Sequence, residues 1–211
     1  MPNRYKSDIY VAYIVVISNI IIPNGDTMRE EDTINDIVKE GYNIFKKQYV
    51  AFIVGTVIAL LGMIFIITIP PLIFGIYFMC IKSIKGEEIQ ISDVFKGFNY
   101  FITSWVLFIV GFIAIVVGLI FLVIPGLLLM VLFQYAIAVA ILENRGAISS
   151  LKRSYEIGKK NFAFSLVLWI LMAVIESVGG LTRIGVLITI PFTALCVSLA
   201  THKLTANTKA A

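Results

Sequence analysis

The sequence is poor in charge, and its charged residues are confined to short stretches. Charged residues make up 14% of the 211 residues, against about 25% in a typical soluble domain. Hydrophobic residues make up 59%, and the mean hydropathy is +0.96. Because apolar runs occupy most of the chain, no soluble catalytic domain of ordinary size fits. These proportions indicate a protein whose solvent is largely the lipid bilayer.

Residues that build metal, disulfide and nucleophile sites are also scarce. The two cysteines, Cys80 and Cys196, each lie inside an apolar run, which is typical of small core residues. The single histidine, His202, has no cysteine or carboxylate neighbours at metal-ligand spacing. The sequence contains no phosphate-binding loop, dinucleotide fingerprint, nucleophile elbow or zinc-protease helix. We therefore expect neither an enzyme nor a bound cofactor.

Six apolar runs approach the length of about 20 residues that a membrane-spanning helix needs. They cover residues 50–69, 71–84, 104–124, 127–142, 162–178 and 184–200. A proline follows an isoleucine near the start of the second run of each pair, at Pro70, Pro125 and Pro191. Proline is tolerated in a first helical turn, where its missing N–H would have no partner. The runs therefore predict three helical hairpins.

The sequence repeats itself at an offset of 56 residues. From Gly41 to Phe65, 11 of 25 positions are identical to those between Gly97 and Phe121, including Gly41/Gly97 and Asn43/Asn99. A weaker third copy, at an offset of 113, begins near Lys152 and fades inside the membrane. Internal self-similarity at a fixed period is the signature of a repeat architecture.

Each copy predicts an amphipathic helix followed by a two-helix membrane hairpin. In the first copy Ile34, Ile37 and Val38 begin an apolar stripe at helical spacing. The second stripe contains Val94, Phe95, Phe98, Phe101 and Trp105, with Ser92 as the expected N-cap, and the third contains Leu151, Tyr155 and Phe162. We expect these helices to lie in the membrane interface. The predicted fold is an all-α integral membrane protein of about six transmembrane helices, arranged as three parallel repeats around a pseudo-three-fold axis. The repeats are residues 29–90, 91–146 and 147–211.

The basic residues predict the orientation of the hairpins. Two crossings per repeat place residues 24–49, 82–103, 143–161 and 201–211 on one side of the membrane. These stretches contain fourteen lysines and arginines, and the opposite loops contain only Arg183. By the positive-inside rule the basic loops and the C-terminus are cytoplasmic, in a multi-pass cell-membrane protein. Short basic clusters of this kind set topology and do not indicate a nucleic-acid partner.

The N-terminal segment, residues 1–28, fits this pattern less easily. Its apolar run, residues 9–22, is short for a span and is interrupted by Ser18 and Asn19. No small-residue cleavage site of a signal peptide follows it. Three interpretations remain: an interfacial or half-inserted helix, a seventh span with the N-terminus outside, or a stretch upstream of a true start at Met28.

A few polar residues are candidates for function. Lys46, Lys47, Lys159 and Lys160 are candidate contacts for anionic lipid headgroups; the alternative is that they only set topology. Glu176 is the only carboxylate within a predicted span and is a candidate ion or substrate ligand. The alternative is an interfacial carboxylate paired loosely with Arg183 or water.

Other small and polar residues inside the spans predict packing. Gly55 and Gly62, like Gly111 and Gly118, are seven residues apart and nearly on one helix face, which predicts a tight packing seam between repeats; a pore lined by backbone is the alternative. Gln134 and Tyr135 form the most polar pair deep in a span, and we expect them to hydrogen-bond between helices.

Three short motifs resemble a known family. These are residues 39–47 (KEGYNIFKK), Ile124-Pro125-Gly126 and residues 151–157 (LKRSYEI). They are similar to prokaryotic multi-pass membrane proteins that include the YciC-like proteins and the membrane domain preceding some glycerophosphodiester phosphodiesterases. The resemblance covers roughly residues 33–203. It implies about six spans and no catalytic residues, and since these 211 residues include no phosphodiesterase domain we do not expect that activity of them.

From these observations we expect a non-catalytic membrane module that organises lipid or binds membrane partners, including other membrane proteins or itself. The alternative is a small transporter or channel subunit. A transporter needs polar groups that converge at mid-membrane, and the spans contain few.

Overall fold

A computed structural model describes residues 34–62, 66–121, 123–181 and 185–209. All three interpretations of the N-terminal segment, and the position of Arg183, lie outside these residues. The helices are α1 (Ile34–Lys47), α2 (Tyr49–Gly62), α3 (Ile69–Ile84), α4 (Phe101–Phe121), α5 (Val123–Phe133), α6 (Ala136–Leu142), α7 (Ala147–Lys160), α8 (Phe162–Gly180) and α9 (Val186–Lys209). Two 3-10 helices, Ile66–Thr68 and Ile91–Tyr100, precede α3 and α4.

The described residues are helical, without a strand, and they confirm the predicted all-α membrane fold. Five helical stretches are long and apolar enough to cross a membrane. The count becomes six if α1 and α2, which meet at an angle of 87°, are taken as one broken span. The helix α2 itself has only 14 residues, or about 21 Å of helix.

The second helix of each hairpin lies at the centre of the molecule. The helices α3, α6 and α9 contact one another, and the two stretches Ile66–Ile84 and Val186–Ala206 are mostly buried. Tyr77 on α3 packs against all three clusters of the hydrophobic core. The outer helix α4 is mostly exposed, so its apolar side chains are left for the bilayer.

The segment that precedes each hairpin packs against the second helix of another hairpin, in cyclic order. The 3-10 helix Ile91–Tyr100 lies along α3, α7 lies along α5 and α6, and α1 lies along α9. Each contact has a small residue on the packing segment. A Cβ added at Gly41 would lie 3.1 Å from Cys196 Sγ, and one at Gly97 would lie 1.9 Å from the Pro71 carbonyl oxygen. At the equivalent position of α7, the Ser154 hydroxyl donates a hydrogen bond of 2.7 Å to the Leu132 carbonyl.

The predicted apolar stripes are buried to different degrees. In α1 the residues Ile34, Ile37 and Val38 are buried, as the helical spacing predicts. In the second segment Val94 is buried but Phe95 and Phe98 are exposed. The reason is the 3-10 geometry: with three residues per turn, Val94 and Gly97 form one row and Phe95 and Phe98 another.

The third stripe and the second N-cap also differ from expectation. Leu151 is buried, whereas Tyr155 and Phe162 are exposed. The prediction that Ser92 caps the second segment is wrong, because the N-cap lies two residues earlier, at Gln90, and the helix begins at Ile91. There the Asp93 carboxylate accepts a hydrogen bond of 2.8 Å from the Gln90 backbone N–H.

The predicted close glycine contacts are present, but the two tight ones lie within a hairpin and not between repeats. A Cβ at Gly55 would lie 2.6 Å from Met79 Cε, and one at Gly118 would lie 3.0 Å from the Gly126 backbone. Gly111 is looser, with Leu151 Cδ2 at 3.9 Å from an added Cβ. The surroundings of Gly62 lie outside the described part of the chain.

Candidate functional site: two basic corners

The first pair of candidate lysines lies where α1 turns into α2, which we call the first corner. Lys46 and Lys47 are both exposed in the last turn of α1. Gln48 holds this corner in place: its side-chain N–H donates a hydrogen bond of 3.0 Å to Ser83 Oγ. Its carbonyl oxygen accepts one of 2.7 Å from the Ile89 backbone N–H. The lysines are therefore carried by a fixed turn.

The second pair lies where α7 turns into α8. We call this turn the third corner, because it belongs to the third repeat. Lys159 and Lys160 are exposed in the last turn of α7. Asn161 separates the two helices, and its side-chain N–H donates a hydrogen bond of 3.1 Å to the Ile157 carbonyl. Exposed aromatic rings, Tyr49 at the first corner and Phe162 at the third, follow the lysines. Basic groups beside aromatic rings are typical of the membrane interface.

Carboxylates pair with four of the described basic groups, whereas the corner lysines, like the exposed Lys39, Lys85, Lys96 and Lys152, have no ion pair among the described residues. Ion pairs join Lys203 to Glu40 at 2.7 Å, Lys82 to Asp93 at 2.7 Å, and both Arg145 and Arg153 to Glu143. Within the described ranges no ion pair reaches a corner lysine. A lysine in the last turn of a helix interacts favourably with the helix dipole. The corner lysines are therefore compatible with a stable fold when no ligand is bound.

The Lys82–Asp93 pair fixes the start of the second repeat. Burial raises the pKa of Asp93, but the hydrogen bonds from the Lys82 ammonium and the Gln90 N–H outweigh burial and leave the pKa below its ordinary value. This pair therefore adds stability at neutral pH, and the contribution is lost as the pH falls through that lowered pKa. Its role is structural.

Glu176 is placed apart from the basic corners. It is exposed on α8, and its Oε1 accepts a hydrogen bond of 2.9 Å from the Thr193 hydroxyl on α9. The sequence indicated Arg183 or water as its partner, and the structure adds Thr193, which was not foreseen. An exposed carboxylate held by one hydroxyl can ligate a cation or a polar substrate, but within the described residues no cluster of three or more His, Cys, Asp or Glu could hold a metal ion.

The deep polar pair and the cysteines were predicted correctly. The Tyr135 hydroxyl and Ser165 Oγ are 2.9 Å apart, and Gln134 donates a hydrogen bond of 2.9 Å to the Ser165 carbonyl. Both contacts join the second hairpin to α8, as the expectation of helix–helix hydrogen bonds requires. Cys80 and Cys196 are free, buried thiols.

Sequence reasoning missed Gln48, which holds the first corner, and Gly75, which lets the 3-10 helix pack on α3. Gln48 gave no signal because a single glutamine between an amphipathic helix and a span fits a solvated linker equally well. Gly75 lies outside the matched glycine pairs, yet a Cβ there would lie 1.8 Å from the Val94 carbonyl oxygen. Both contacts depend on the path of the loop between α3 and the 3-10 helix. The period of the hydrophobic pattern does not specify that path.

Comparison with family models, with curated proteins and with solved structures found no match. The described residues thus define a class, a multi-pass all-α membrane protein, and they contain five or six helices long and apolar enough to cross a membrane. The resemblance to YciC-like proteins stays a prediction.

Proposed function

We propose that this chain is a non-catalytic membrane module whose cytoplasmic face holds anionic lipid headgroups and so organises lipid or membrane partners. The observation that carries the proposal is the pair of basic corners. Four exposed lysines stand at equivalent positions of the first and third repeats, and no described carboxylate pairs with them. The fourteen-to-one distribution of basic residues supports the cytoplasmic orientation.

The size of the effect follows from membrane electrostatics. Each lysine near an anionic surface is worth about 1 kcal/mol, so one corner would contribute about 2 kcal/mol. A difference of that size changes affinity roughly thirtyfold. The attraction is screened beyond a Debye length of about 8 Å at physiological salt, so it acts on headgroups in direct reach.

The three repeats belong to the same proposal. The cyclic contacts of α1, the 3-10 helix and α7 with the second helices support three units around a pseudo-three-fold axis normal to the membrane. The second repeat has Ile102 and Thr103 where the others have lysine pairs. The basic face therefore has lysine pairs at two of its three corners. At the remaining corner we propose contact with an apolar partner.

Lipid-dependent stability tests the proposal. We expect nanodiscs containing phosphatidylglycerol to raise the unfolding temperature of the parent above its value in phosphatidylcholine alone. The double variants Lys46→Gln/Lys47→Gln and Lys159→Gln/Lys160→Gln should each lose about half of that gain. Lys39→Gln/Lys152→Gln is the matched control, because it removes two exposed lysines at equivalent positions away from the corners. An equal loss in the control would contradict the proposal.

A small transporter is the second candidate, and one observation favours it. Glu176 accepts a hydrogen bond from Thr193 near the turn between α8 and α9, and the sequence of that turn contains Thr182 and Arg183. The same thermal measurements, run with ions and small metabolites, distinguish the two functions. A soluble ligand that stabilises the parent but not Glu176→Gln would favour the transporter. Stabilisation by anionic lipid alone, equal in both proteins, would favour the lipid module.

A further inference from the structure

The turns at the ends of the three hairpins, which we call the tips, differ in polarity. Around the first tip, residues 61–72, the only polar side chain is Thr68. Around the second tip, residues 117–128, there is none. The third tip, residues 176–185, contains Glu176, Ser177, Thr182 and Arg183. A turn that emerges into water ordinarily carries polar residues, so the first two tips lack what an aqueous loop has.

Large apolar side chains cover the first two tips. Ile66 and Ile67 are 75% and 60% exposed at the first. At the second, Phe121 is 80% exposed, and its neighbours Ile120, Val123 and Ile124 are also mostly exposed. Contiguous exposed apolar surface of this kind needs a hydrophobic covering.

Polar backbone groups of the first tip have partners within the protein or are removed by proline. Hydrocarbon offers no hydrogen-bond partner, so polar backbone groups there must be satisfied within the protein. The Trp105 indole N–H donates a hydrogen bond of 3.1 Å to the Ile67 carbonyl. Pro70 and Pro71 occupy the start of α3, where an ordinary residue would present an N–H without a helical partner.

The second tip also exposes little polar backbone, because the turn is short. Helix α4 ends at Phe121 and α5 begins at Val123, so one residue separates them. A Cβ on Gly118 would lie 3.0 Å from the Gly126 backbone, which shows how closely the helices approach. Pro125 is the third residue of α5 and removes one more N–H from the first turn.

A groove beside the first tip matches the chemistry of an acyl chain. The groove is shallow and open, has a volume of about 440 Å³ and is lined by Ile66, Ile67, Phe101 and Trp105. The indole N–H is the only polar side-chain group in this lining, and the Ile67 carbonyl already accepts it. A polar ligand would therefore find no free side-chain donor in this lining. A hydrocarbon chain needs no hydrogen-bond partner and can fill the groove without leaving a polar group unsatisfied.

We propose that the tips of the first two hairpins end among the acyl chains of the bilayer, and that only the third tip reaches water. The inference rests on the tips alone and does not depend on the lysine corners. The protein would then be anchored by two apolar hairpins that disturb the lipid around them and by one hairpin that presents polar groups at the far surface.

Cysteine accessibility tests this inference. In a Cys80→Ala/Cys196→Ala background, single variants Ile67→Cys, Ile124→Cys and Leu181→Cys are exposed to a membrane-impermeant thiol reagent. The reagent is added to both sides of permeabilised native membranes. We expect Leu181→Cys, which is 86% exposed in the parent, to react, and the other two to stay at least tenfold slower. All three should react after denaturation in SDS, which shows that the thiols are intact.

A bimane label attached at Ile67→Cys or Ile124→Cys shows whether lipid or protein covers each of these positions. Brominated acyl chains in reconstituted vesicles should quench both labels more strongly than a label at Leu181→Cys. If Ile67→Cys or Ile124→Cys reacts with the impermeant reagent at the rate of Leu181→Cys, or escapes quenching, the inference is wrong. Ile66→Cys and Val123→Cys serve where a first-choice variant fails to fold.

Discussion

Gly97→Ala is expected to lower the stability of the protein by about 3 kcal/mol or more, because the added methyl group meets backbone and not a movable side chain. An added Cβ would lie 1.9 Å from the Pro71 carbonyl oxygen and 2.4 Å from the Gly75 nitrogen. To accommodate it, the 3-10 helix must separate from α3, which also pulls Asp93 away from Lys82. A loss of this size corresponds to about 6–12 °C in unfolding temperature.

Gly111→Ala is the control for that experiment. Its added Cβ finds only Leu151 Cδ2, at an ordinary contact distance of 3.9 Å. We expect its unfolding temperature to equal that of the parent or to rise by up to about 4 °C, since alanine favours a helix over glycine by about 1 kcal/mol. Equal unfolding temperatures for Gly97→Ala and the parent would show that the second segment does not pack on α3 as described.

Gly118→Leu is expected to cost about 2 kcal/mol or more, because a bulky side chain must separate two helices that now touch. The distance of 3.0 Å from an added Cβ to the Gly126 backbone leaves no room for a leucine. The unfolding temperature in detergent should fall, and the second hairpin should become more accessible to protease.

Gly180→Leu provides the comparison, since an added Cβ at Gly180 has nothing within 4 Å. It should melt near the parent. A Gly118→Leu protein that melts like Gly180→Leu would indicate that Gly118 faces lipid and that the α4–α5 contact is not tight.

The sequence was sufficient to predict the helical hairpins because their signals are local. Apolar runs and the prolines at 70, 125 and 191 depend only on neighbouring residues, and the structure has helices in each of these places. Pro70 and Pro125 lie in the first turns of their helices, whereas Pro191 lies inside α9 and not in its first turn as expected. The burial of Ile34, Ile37 and Val38 likewise follows from α-helical spacing. The Tyr135–Ser165 contact was half predicted: the sequence indicated a helix–helix hydrogen bond but not its partner.

What the sequence could not provide depends on contacts between distant segments. The exposed row of Phe95 and Phe98 results from a 3-10 helix, which forms here because Gly97 and Gly75 bring two backbones together. Composition does not distinguish that geometry from an α-helix. The Thr193 partner of Glu176 and the contacts of Gln48 with Ser83 and Ile89 also depend on the full arrangement of helices.

The orientation of the basic face is the central claim, and thiol labelling in intact cells tests it most directly. Single variants Glu87→Cys and Ile148→Cys, both at exposed positions, are placed in the cysteine-free background beside Leu181→Cys. An impermeant reagent added outside should label Leu181→Cys and leave the other two unlabelled until the cells are permeabilised. Labelling of Glu87→Cys and Ile148→Cys from outside, with Leu181→Cys protected, would contradict the account.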